Sequence, residues 1–205
     1  MAGTELMLPE WALGPFSRPE GAQPVIEPQP ESRFFCPMHG IEVAWEALYT
    51  FNPAAAVRGG KVHVLYRAED DTGQRMVGGH TSRVGLAVSE DGLVFERQPE
   101  PVLYPAEDEQ APFEWYGGCE DPRVVEREDG LFVMTYTAYN RDSRDFSVLA
   151  RLAVASSSDL VHWEKAGPAF LAAHNGRFLH HWGKSGSIVC ERSEEHTSEL
   201  QSPNT

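Results

Sequence analysis

The chain has 205 residues, 41% of them apolar, with 15 prolines, 18 glycines and a formal net charge of −14. That length accommodates one domain or a small pair, and the proline and glycine content points to many turns. The acidic balance argues against nucleic acid as a partner, because no basic stripe exists to replace phosphate counterions, and no stretch approaches the ~18 apolar residues of a membrane span.

The N-terminus, MAGTELMLPEW, lacks the cationic start and apolar core of a signal peptide. Cys36, Cys119 and Cys190 are an odd, scattered set without CxxC spacing. Reduced structural thiols in a cytoplasmic protein are therefore expected, rather than disulfides or zinc. Cys119 lies beside an acid pair and could be reactive, but a small buried residue is its ordinary role. Pro9, Pro15, Pro19, Pro24, Pro28 and Pro30 mark residues 1–43 as an extended lead-in, draped over a neighbouring surface or a second subunit.

From Ala44 the pattern is β. Phe51-Asn52-Pro53 opens AAAV, Gly59-Gly60 turns, and KVHVLYRA alternates as a strand. A polar loop from Glu69 to Thr81 leads to RVGLAVS, the turn Glu90-Asp91-Gly92, and LVFERQ. The stretch Trp115-Tyr116-Gly117-Gly118-Cys119-Glu120-Asp121-Pro122-Arg123 then restarts the series. It runs through RVVE, a turn at Glu128-Asp129-Gly130, LFVMTYTAY, a loop, LARLAVASS, a turn at Ser158-Asp159 and LVHWEKAG. The register is quantitative: Pro53 and Pro122 are 69 apart, and Asp91/Asp159, Phe95/Trp163 and Glu96/Glu164 are each 68 apart. Four strands per unit at constant spacing predict β-propeller blades, two complete and a third opening at Lys184.

The first strand of a blade lines the central channel. Asn52, Asp121 and Lys184 open those strands, so an amide, an acid and an amine are expected to converge on one axial pocket. An extended backbone would turn Glu120 away from Asp121. His180 and His181 alternate across a strand, so no metal site is assigned. Residues 192–205, RSEEHTSELQSPNT, carry no strand pattern and read as a translated library adapter joined to an incomplete frame. On that expectation residues 44–191 are an incomplete propeller, with open edges and an unclosed core that would not fold stably alone.

The ordered set FNPAAAV, VLYRAEDD, SRVGLAVSEDG, GGCEDPRV, VMTYTAY, LAVASSSDLVHWEKAG and GKSGSIV resembles the N-terminal part of the glycoside hydrolase family 130 mannoside phosphorylases, over residues 45–191. The resemblance implies a five-bladed all-β propeller with an axial active site. It implies cleavage of β-mannosides, of the β-1,4-manno-oligosaccharide or mannosyl-glucose type, by inorganic phosphate, with inversion to α-mannose 1-phosphate. No cofactor is implied beyond phosphate as co-substrate. Matched by position, Asp121 is the single catalytic acid, acting through a hydroxyl of the mannosyl unit. Asn52 and Arg67 match mannosyl-binding positions, and Arg83 and Lys184 match phosphate-binding ones. Where some members carry further cations before this lysine, the chain has His180-His181-Trp182-Gly183. Phosphate is already an anionic nucleophile, so one acid suffices; an inverting hydrolase needs a second carboxylate ~6.5–9.5 Å away.

Other readings follow from the same residues. A hydrolase of the same family should lack the Arg83/Lys184 anion site and gain a second carboxylate, for which Glu120 is the nearest candidate. A related five-bladed glycosidase class with three carboxylates expects an Asp where Asn52 stands. A non-catalytic carbohydrate-binding propeller remains a distinct class, since fold does not fix function; retention of Asp121 favours an enzyme. Homo-oligomerisation through the Pro-rich segment is a further expectation.

Overall fold

The computed structural model describes residues 16–18, 20, 23–73, 79–141 and 149–189. Its strands are β1 (Phe34–Cys36), β2 (Ile41–Val43), β3 (Tyr49–Arg58), β4 (Lys61–Glu69), β5 (Ser82–Ser89), β6 (Glu96–Arg97), β7 (Tyr116–Glu126), β8 (Phe132–Asn140), β9 (Leu149–Ser157) and β10 (Glu164–Pro168). One turn of helix, α1 (Ala111–Glu114), precedes β7. The all-β class and the repeat agree with the sequence. β3 to β6 form one antiparallel meander and β7 to β10 a second. Each is one blade. They join at a single parallel pair, Ser82 with Gly118. Gly118 takes φ +99°, and a Cβ there would stand 2.1 Å from the Ser82 carbonyl oxygen, so only glycine lets the blades meet.

The repeat has a physical origin in its turns. Ser89 Oγ donates to Asp91 Oδ1 at 3.0 Å, and the same carboxylate oxygen accepts the Leu93 amide at 2.8 Å. In the second blade Ser157 Oγ donates to Asp159 Oδ1 at 3.0 Å, which accepts the Val161 amide at 2.9 Å. A side chain that closes its own turn requires the same residue types each time. Between the blades lies the main core, built on Leu65, Leu86, Phe132, Met134 and Tyr136. β4 and β5 are buried for most of their length, whereas β3 is largely exposed.

Several expectations are corrected. Residues 34–43, read as the end of the lead-in, fold into the β1–β2 hairpin. Its Cys36 and Val43, with Trp45, form a second core against Tyr66, Ala68 and Ala87, on the opposite face of blade one from Leu65 and Leu86. Sequence periodicity is too short in a three-residue strand to reveal this. LVFERQ forms only the two-residue β6. Lys184 to Val189 carry no strand. The proposed tail, 192–205, and residues 1–15, 19, 21 and 22 of the Pro-rich segment lie outside the described residues.

Candidate active site

Asn52 and Asp121 lie inside β3 and β7 rather than at their openings. Each sits at a register shift, between Phe51 and Ala54 and between Glu120 and Arg123. Both take left-handed backbone, φ 46° and 51°. Asn and Asp are the non-glycine residues that tolerate this best. The following proline has no N–H to offer the ladder, so the pairing breaks there.

Arg67, on β4, is the hub. Its Nη1 donates to Asp121 Oδ1 at 3.1 Å. Its Nη2 donates to Glu69 Oε1 at 2.5 Å and to Glu120 Oε1 at 2.8 Å, and its Nε to Ser82 Oγ at 3.0 Å. The guanidinium lies 4.6 Å from the Phe51 ring centroid, a cation–π contact. Arg67 and Glu69 share a face because strand side chains alternate, so the pairing with Glu69 and the contact with Asp121 coexist. Asn52 Nδ2 also donates to Asp121 Oδ1, at 2.8 Å. Lys184 Nζ donates to Glu120 Oε2 and stands 3.4 Å from Asp121 Oδ2.

Asp121 is therefore asymmetric. Two donors occupy Oδ1, while among the described residues Oδ2 faces only the Lys184 ammonium. Burial pushes the Asp121 carboxyl up, but the Asn52 amide, the Arg67 guanidinium and the Lys184 ammonium together hold it below the ordinary aspartate range. A proton on this acid has one place to sit, Oδ2, and Lys184 competes for it.

Glu120 joins the cluster, contrary to the extended-strand expectation. The left-handed turn at Asp121 breaks the alternation, so successive carboxylates reach the same cations. One ammonium touching both leaves no room for a water held at inverting separation. Arg83 does not join. It is wholly buried, with Nη1 donating to Asp70 Oδ2 at 2.7 Å and Nη2 standing 3.1 Å from Cys36 Sγ. Ser82, its neighbour, faces the Arg67 cluster, so period two sends Arg83 to the hairpin side. Cys119 is fully buried, and desolvation together with Glu114 pushes its thiol up, which fits packing rather than reactivity.

The family model described as beta-1,4-mannooligosaccharide phosphorylase, glycoside hydrolase family 130, matches residues 29–197. A 1,2-beta-oligomannan phosphorylase of Thermoanaerobacter sp. (strain X514) is 36% identical over 131 residues, 63% of this chain and 41% of that protein. A beta-1,2-mannobiose phosphorylase of the same organism is 35% identical over 134 residues, 60% of this chain and 40% of that one. A solved structure reported under the finding that this family of mannoside phosphorylases contains glycoside hydrolases targeting beta-1,2 mannosidic linkages in Candida mannan is 51% identical, with TM-score 0.83 over 89% of this chain and 49% of that one. The chain thus spans less than half the length of these relatives. With the family model matched along most of its length, the chain belongs to glycoside hydrolase family 130.

Proposed function

We propose that the whole protein cleaves β-mannosides by inverting transfer of the mannosyl unit to inorganic phosphate. The observation that carries this reading is Asp121, buried, pinned at Oδ1 by Asn52 and Arg67, with Oδ2 3.4 Å from the Lys184 ammonium. In the proposed reaction a phosphate oxygen attacks C1 and the glycosidic C–O bond breaks. The proton on Asp121 Oδ2 passes through a mannosyl hydroxyl to the departing oxygen. Asn52 and Arg67 hold both the acid and the mannosyl unit, and Lys184 leaves its two carboxylates to meet phosphate. Both phosphorylase relatives and the 51%-identical structure carry β-1,2 linkages in their descriptions. That supports β-1,2-linked mannosides as first substrate, ahead of the β-1,4-linked or mannosyl-glucose substrates.

A second reading, hydrolysis, is favoured by two observations. Arg83 is sealed against Asp70, and among the described residues three carboxylates (Glu69, Glu120, Asp121) face two cations (Arg67, Lys184). Such a cluster repels an anion unless the remaining blades add positive charge. The 51%-identical structure is reported under the finding that this family of phosphorylases also contains glycoside hydrolases. Incubating the full-length protein with β-1,2- and β-1,4-mannobiose, with and without phosphate, separates the readings. Mannose 1-phosphate formed from the β-1,2 substrate only when phosphate is present is the expected result. Free mannose at an equal rate without phosphate would establish the second reading instead.

A further inference from the structure

The two left-handed residues of the site have a third counterpart. Asn52, Asp121 and Ser185 take φ 46°, 51° and 60°, at successive spacings of 69 and 64 residues. Left-handed backbone is uncommon outside glycine, so its recurrence at blade spacing marks equivalent positions. Asn52 and Asp121 are each followed by a proline at a break in the ladder, and Ser185 by Gly186. The preceding residues all belong to the cluster around Arg67 and Glu120, through different contacts. Phe51 lies against the Arg67 guanidinium, Glu120 binds Arg67, and Lys184 binds Glu120. The sequence expectation aligned Lys184 with Asn52 and Asp121; the backbone shifts that alignment by one, to Ser185.

Asn52 and Asp121 touch directly at 2.8 Å, so equivalent positions do converge. Ser185 is exposed, and among the described residues it has no hydrogen-bond partner. A serine hydroxyl is neutral and both donates and accepts, which complements a ring hydroxyl. A phosphate dianion is better met by the adjacent Lys184 ammonium.

We propose that Ser185 Oγ is the third axial group of the site and binds a hydroxyl of the mannosyl unit cleaved at Asp121. The assignment rests on the mannoside reading above, and it holds whether phosphate or water is the acceptor. The test uses the full-length protein with β-1,2-mannobiose. Ser185→Gly removes Oγ and relaxes the left-handed backbone. Ser185→Asn returns a polar side chain that tolerates the same φ, as Asn52 does. Ser185→Gly should raise the mannoside KM about 3–10-fold, the range for one neutral hydrogen bond, with the phosphate KM unchanged. Ser185→Asn should recover much of that loss. An unchanged mannoside KM in an active Ser185→Gly enzyme would overturn the assignment alone, as would a rise confined to the phosphate KM. A wild-type protein that turns over no mannoside would remove the functional reading itself, and the assignment with it.

Discussion

Three donors surround Asp121, and they decide when it can act. Asn52, Arg67 and Lys184 favour its ionised form, and they outweigh the burial that opposes it. A general acid must be protonated, so activity should fall as pH rises through the Asp121 pKa. Removing a cation weakens the preference for the ionised form and raises that pKa. Lys184→Gln should therefore move the alkaline limb of kcat/KM to higher pH. It should also raise the phosphate KM about 10- to 100-fold, since a charge-assisted hydrogen bond to the anion is lost. An unmoved limb would mean that Lys184 does not govern the acid. Glu120 shows why part of this cluster was not legible in the sequence. Alternation predicts that it faces away, and only a left-handed φ at a non-glycine residue brings it in. Arg67 with Glu69 was legible, because residues two apart on a strand share a face. Arg83 obeys the same rule, and with Ser82 facing Arg67 the alternation places it on the other side.

At the level of elements, the blades are held together where β5 meets β7. The Ser82–Gly118 pair is close because Gly118 has no side chain. Gly118→Ala should lower stability by at least about 2 kcal/mol, from backbone strain and collision with Ser82 together. Gly92→Ala is the control: its φ is +76°, but a Cβ there meets nothing within 4 Å. It should cost only about 1–2 kcal/mol, from the backbone alone. Denaturant midpoints compare the two, and equal losses would show that the inter-blade approach contributes nothing. The strands themselves were legible because Ser89/Asp91 and Ser157/Asp159 close equivalent turns with the same chemistry. The β1–β2 hairpin was not, since each strand is three residues long and its burial depends on Tyr66 and Ala87, which are distant in sequence.

Across the whole molecule, two blades bring Asn52, Arg67 and Asp121 into contact, and Lys184 joins the group from the segment that follows. Repetition explains how a site can be assembled from residues 69 positions apart: equivalent positions on successive blades point inward together. The fold class followed from the 68-residue period, while the choice between phosphate and water depends on charges that the two blades do not complete. The central claim concerns Asp121 as the proton donor. Its most direct test is Asp121→Asn in the full-length protein, with turnover of β-1,2-mannobiose and binding of the same sugar measured side by side. The amide keeps the shape and can hold no transferable acid proton, so turnover should drop roughly 10²–10⁴-fold while the sugar still binds. Turnover equal to that of the wild type would contradict the account and send the search for the acid elsewhere in the protein.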